Sequence, residues 1–228
     1  MRLRYSALPF AIALIVATAV SAGDDSTDGG DISRVNKSIS IPDGGRAGEL
    51  DTVNGSITVG ANAVIESADT VNGSVRVAEG VHAQWLETVN GSIGIGSRSS
   101  ISEHVETVNG SITLAEDAEV IGNAETVNGG FKLAERAHVG GQIVTHNGDI
   151  TLRDNARVDG GILVKKVRSS WWSGTQRAPV ITIGPGVQVN GELVFEREVE
   201  LNVHQTAKIG AVKGATVKRF GGEMALER

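Results

Sequence analysis

The residues best equipped for chemistry are spread thinly along this chain. Its five histidines, His82, His104, His138, His146 and His204, show neither the His-Glu-x-x-His pattern nor the i, i+4 helical spacing by which two imidazoles hold zinc. No cysteine is present to supply a thiolate, so no metal site is expected. Glu87, Glu106 and Glu125 recur at a constant interval. A glycosidase needs two carboxyl groups of unlike pKa flanking one bond, whereas a periodic row of like acids reads as a solvated stripe. Calcium-binding repeats of the Gly-Gly-x-Gly-x-Asp kind are absent as an array. The chain is therefore expected to be non-enzymatic, with no catalytic residue and no cofactor.

One segment offers a binding chemistry. Val167 to Pro179, "VRSSWWSGTQRAP", carries two of the three tryptophans. Trp171 and Trp172, flanked by Arg168 and Arg177, could stack on sugar rings or dock a partner if exposed. The alternative is that the pair folds back over an apolar stack.

The rest of the chain is a repeat. Thr-Val-Asn-Gly stands at Thr52, Thr70, Thr88, Thr107 and Thr126, with Thr-His-Asn-Gly at Thr145. Successive copies keep a nearly fixed period of about 18–19 residues. A degenerate first copy begins at Val35, one period before Val53. Common helical repeats need about 30 residues or more, so this period predicts one coil of a β-helix. Within a coil, sixes such as "LAEDAE" return an aliphatic residue or Ala at the first and fifth positions, as at Val108, Ile112, Leu114, Ala118, Val120 and Ala124. Alternate side chains of a strand share a face. These positions are expected to point inward, with the Thr, Glu, Arg or His between them in water.

The fold predicted is all-β: a single-stranded parallel β-helix (solenoid) of about nine turns of 18–19 residues, with three short strands per turn. Asn-Gly is placed at a corner of each coil, among residues that accept turn or left-handed conformations; a straight strand with Gly inward is the rival phase. Coils about 4.8 Å apart would align Asn54, Asn72, Asn90, Asn109, Asn128 and Asn147 as a structural amide ladder. The same stacking would present Thr52, Thr70, Thr88, Thr107 and Thr126 as a flat polar face for a repetitive ligand, a glycan or an ice-like lattice. His146 would replace an inward valine, and His82 and His138 would face outward.

Residues 1–22 read as a signal peptide. Arg2 and Arg4 precede the apolar run Ala7 to Val20, and Val20-Ser21-Ala22 offers a cleavage site. That run is short of the roughly 20 residues that span a bilayer, and no later stretch comes close, so no transmembrane segment is expected after signal removal. An acidic leader, 23–33, is expected to be disordered. The β-helix then covers 34–212 with an inserted loop at 167–179. The end, 213–228, either caps the last coil or leaves a bare polymerisation edge. Losing Arg2 and Arg4 and no acid takes the net charge from −6 to −8, which disfavours nucleic acid as a partner. With 30 Gly against only 4 Phe, 3 Trp and 1 Tyr, the core must be thin and aliphatic, as in a solenoid.

The units Val139-Gly140-Gly141-Gln142-Ile143, Val158-Asp159-Gly160-Gly161-Ile162 and Val189-Asn190-Gly191-Glu192-Leu193 resemble the bactofilins. That resemblance implies a β-helix that polymerises end to end without nucleotide. The "TVNGSI" copies are similar to those of exported bacterial adhesin-like β-repeat proteins, and sixes such as "LAEDAEV" resemble hexapeptide-repeat acyltransferases. The last resemblance implies a cytosolic acyl donor and an interface histidine, which an exported chain would not combine. The function expected is a structural or adhesive β-helix of the bacterial envelope, in the periplasm or at the cell surface, whose partners are other copies of itself or envelope polysaccharide. A glycan-binding module using the Trp171 loop is the alternative, and an acyltransferase comes third.

Overall fold

The computed structural model describes residues 29–166 and 177–221. The signal peptide, most of the acidic leader, Arg168, Trp171, Trp172 and the last seven residues lie outside the described residues. Within them the chain is a parallel β-solenoid of about nine coils with three strands in each. Sheet I has ten strands, from Ile32–Arg34 to Val212–Lys213. Sheet II also has ten, from Ile39–Ile41 to Val217–Phe220, and sheet III has seven, from His82–Ala83 to Lys208–Ile209. Single bridges at Arg46 and Val64 carry sheet III toward the first coil. The solenoid is longer than expected at both ends. Ile32, in the expected leader, pairs with Leu50. Val217, in the expected cap, pairs with Leu201, so the tail through Phe220 adds the tenth strand of sheet II.

Strict alternation builds sheet II. Ile57 and Val59 are buried about an exposed Thr58, and the pattern repeats at Val75–Val77, Ile112–Leu114 and Phe131–Leu133. Because pairing is in register, Ile93, Ile112, Phe131, Ile150 and Ile181 form one inward column. Sheet III contributes Ile101, Val120, Val139, Val158 and Val189, all buried. Burying each such side chain stabilises the fold by about 1.5–3 kcal/mol. Three walls close on a narrow interior, and the apolar side chains that fill it are aliphatic with an occasional Phe.

Sheet I departs from the expected phase. Its inward pairs are Leu50 with Thr52, Leu86 with Thr88, and Ala124 with Thr126, so the threonines are buried and the motif valines are not. Five positions separate the inward Thr107 from the inward Ile112 across the Val-Asn-Gly-Ser corner, against four from Leu114 to Ala118 at the next corner, and a one-residue shift exchanges the two faces of a strand. Copies of the motif thus leave Val53, Val71, Val89, Val108 and Val127 half-buried on the outer face.

The corners also divide their labour differently. Left-handed backbone occurs where sheet II turns into sheet III, at Asn62, Arg98, Asp117, Arg136 and Asn155, with Gly44, Gly80 and Gly186 at the same place. None of the Asn-Gly corners has a positive φ. Their glycines answer to close packing instead: a Cβ on Gly110 would lie 1.9 Å from the carbonyl oxygen of Gly91.

Candidate functional site

Each part of the repeated motif is hydrogen-bonded to the coil beside it. Thr70 Oγ1 donates to the carbonyl of Gly55 at 2.8 Å, Thr88 Oγ1 to Gly73 at 2.8 Å and Thr107 Oγ1 to Gly91 at 2.9 Å. Thr52, Thr126 and Thr145 do the same to Lys37, Gly110 and Gly129. The flat threonine face expected from the sequence is therefore not a surface: Thr107 is fully buried, as is Thr145. A buried hydroxyl needs a partner, and the carbonyl of the neighbouring corner is within reach only from inside.

The asparagines do form a ladder. Nδ2 of Asn54 donates to Oδ1 of Asn36, and Asn72, Asn90, Asn109 and Asn128 continue the chain, each bond at 2.9 Å. Serine hydroxyls add a parallel row, with Ser56 Oγ accepting from the Ser74 amide at 3.2 Å. Asn36, in the degenerate first copy, belongs to the row although the motif alone starts it at Asn54.

The row changes partners at Asn147. Asn147 Oδ1 accepts from Arg197 at 3.3 Å, and Arg197 also donates to the carbonyl of His146 at 3.2 Å. The coil between them carries the insertion, so that Asp149 and Val180, neighbours across one coil boundary, are 31 residues apart in sequence. Arg197 spans the place where the missing corner would stand. Val164 and Phe195 take the inward column there in place of threonine, consistent with the loss of a glycine carbonyl to bond. His146 follows the buried Thr145 and is half-buried on the outer face, not inward as expected. Its Nδ1 is buried without a hydrogen bond, and burial, with Lys165 nearby, pushes the imidazole below its ordinary range.

Of the expected binding residues only Arg177 is described. Its guanidinium bonds Asp149 Oδ2 at 2.6 Å, and the other oxygen of Asp149 accepts from the Val180 amide at 2.8 Å. Asn147, Gly148, Asp149, Arg177 and Pro179 line a cavity at this point. Trp171, Trp172 and Arg168 lie outside the described residues.

The expected glutamate stripe is longer than its three members. Register aligns Asp51, Asp69 and Glu87 on successive strands, followed by Glu106 and Glu125. Stepping back from Glu87 by one period, and then by another, would have found both aspartates. Burial, reinforced by the charges of Glu87 and Asp51, pushes the Asp69 carboxyl up to about 7. Burial also raises Asp51 and Glu106. Trp85 and His104 flank this column, their rings stacked with centroids 6.4 Å apart. His104 Nε2 lies 2.7 Å from Glu87, and that bond is the main cause of its raised pKa. His138 joins Glu119 and Asp159 at 2.9 Å each, and His82 is exposed. Among the described residues no group of three or more His, Asp or Glu side chains is placed to hold a metal ion.

The fold and these ladders define a parallel β-solenoid whose repeated motif bonds coil to coil. Comparison of the chain with protein-family models, curated proteins and solved structures finds no match in any of the three.

Proposed function

We propose that this protein is an exported, non-enzymatic structural or adhesive β-helix of a bacterial envelope, a short rod that assembles with copies of itself. The observation that carries this reading is where the repeated motif goes. Thr, Asn, Gly and Ser are each engaged by the neighbouring coil, so the repetition builds a rod instead of displaying a recognition sequence. With ten strands in each long sheet and coils about 4.8 Å apart, the rod is on the order of 40 Å long. Its end strands, Ile32–Arg34 and Ile39–Ile41 at one end and Val212–Lys213 and Val217–Phe220 at the other, each have one paired neighbour among the described residues. Edge strands of this kind can template another chain. The resemblance to the bactofilins favours the same use. Sedimentation and negative-stain microscopy of residues 23–228 over a concentration series should show end-to-end rods. A monomer at every concentration, with no affinity for envelope polysaccharide, would sink the proposal.

A glycan-binding use of the insertion is the second reading, favoured by the cavity beside Arg177 and Asp149. Here Trp171 and Trp172 supply stacking surfaces, and Arg168 and Arg177 supply hydrogen bonds. Replacing both tryptophans with Ala should abolish binding to envelope polysaccharide; unchanged binding would exclude this use.

A further inference from the structure

The outer face of sheet I holds like charges in an arrangement that a protein surface ordinarily avoids. Asp51, Asp69, Glu87, Glu106 and Glu125 stand directly opposite one another on five consecutive coils, and like charges so placed destabilise a sheet. All five are half-buried. The residues two places away on each strand share their face: valines on one side, and Ser67, Trp85 and His104 on the other. Ser67 is fully buried. The column ends at Val144, the next residue in register after Glu125, so the charge is confined to the second to sixth strands of sheet I.

Two cations among the described residues act on it directly. Glu87 has His104 at 2.7 Å, and Lys165 acts on Glu106 from further along the rod. Arg34, one residue beyond the column's first position, donates to the Ser33 carbonyl at 3.1 Å. Acids among the described residues add to the repulsion: Asp31 and Glu66 beside Glu49, Asp31 again beside Asp51, and Glu103 beside His104.

We propose that the column Asp51, Asp69, Glu87, Glu106 and Glu125 is a proton-operated latch, tightening the coils that carry it when the surroundings acidify and loosening them as the pH rises. Proton uptake removes the repulsion and converts it into attraction, because a neutral carboxyl can donate an O–H bond to the carboxylate on the next coil. The direction follows from the two states of Asp69. In the unfolded chain it titrates near 3.8, and in the fold it is pushed up to about 7 by burial and by the charges of Glu87 and Asp51. Stabilisation by the proton is complete below the lower value and is lost as the pH rises through the upper one. Glu49, Asp51 and Glu106 are also raised, chiefly by burial, and His104 is raised chiefly by its bond to Glu87. All act in the same sense.

Hydrogen exchange read by mass spectrometry, corrected for intrinsic rates, tests the latch in the mature chain. Protection of Glu49–Asn54, Ser67–Asn72 and Trp85–Asn90 should fall at least about tenfold between about pH 5 and about pH 8, while Val180–Ile183 holds. Asp69→Asn and Glu106→Gln should each flatten that dependence. Equal protection at both pH values, or an undiminished dependence in both variants, would overturn the proposal. If neither variant folds, carboxyl carbon NMR of the wild-type chain decides. A titration midpoint for Asp69 near neutrality supports the latch, and one in the ordinary aspartate range refutes it.

Discussion

Gly91 and Gly94, close neighbours on one coil, should respond to the same substitution in opposite ways. At Gly91 an added Cβ would stand 1.8 Å from the carbonyl oxygen of Gly73 and 2.5 Å from its carbon. Neither end of the corner can give way freely. Thr88 is held in register with Thr70 on one side and Ile93 with Val75 on the other. The struck carbonyl is also the acceptor of the Thr88 hydroxyl at 2.8 Å. Overpacking costs about 1–3 kcal/mol, and a strained or lost buried hydrogen bond adds about 1–2 kcal/mol. Gly91→Ala should therefore lose about 3–5 kcal/mol. At Gly94 the nearest atom to an added Cβ is Arg76 Cγ at 4.0 Å, and the φ is not positive. Gly94→Ala restricts only the unfolded chain and should gain about 0.4–1 kcal/mol. Urea unfolding followed by far-ultraviolet circular dichroism reads both. The reasoning fails if Gly91→Ala stays within about 0.5 kcal/mol of wild type, or if the two variants are equally damaged.

Thr88→Val keeps the shape of the buried side chain and removes its donor, so it should cost about 1–2 kcal/mol; Thr88→Ser, which retains the hydroxyl, separates that loss from packing in the same urea experiment. Arg197→Met should cost about 1–2 kcal/mol by leaving the His146 carbonyl and Asn147 Oδ1 without their charged donor, and a thermal midpoint equal to wild type would refute its bridging role. Asp159 is held at about 2, chiefly by Arg157 with help from His138 and Asn190. Its contribution is present above pH 3.8 and lost as the pH falls toward the lower value. For so exposed a group this amounts to less than about 1 kcal/mol, visible as a shallower acid limb in Asp159→Asn.

The period of the valines revealed the coil and the sixes within it revealed three strands, because a solenoid repeats every contact and each copy restates the same geometry. The faces of sheet I were less legible. Sheets II and III obey the simple rule that aliphatic residues point inward, but Thr88 and its copies satisfy their buried hydroxyls on a carbonyl contributed by another coil. A reading confined to one coil sees a polar residue and turns it outward. The motif glycines show the same limit. Asn-Gly suggests a left-handed turn within the coil, whereas Gly91 is required by the distance to Gly73 on the next one. Left-handed backbone instead falls at the corner between sheets II and III, where Gly44, Asn62, Gly80, Asp117, Asn155 and Gly186 suit it and Arg98 and Arg136 adopt it without that preference. The acid column was half seen for a related reason, since Asp51 and Asp69 differ in type from the glutamates that follow and only the register equates them. Where a coil's chemistry is completed by its neighbour, the informative unit of sequence is a residue and its partner one period away. Asn147 shows this most directly: its place in the ladder is decided by an insertion in the next coil and an arginine in the coil beyond.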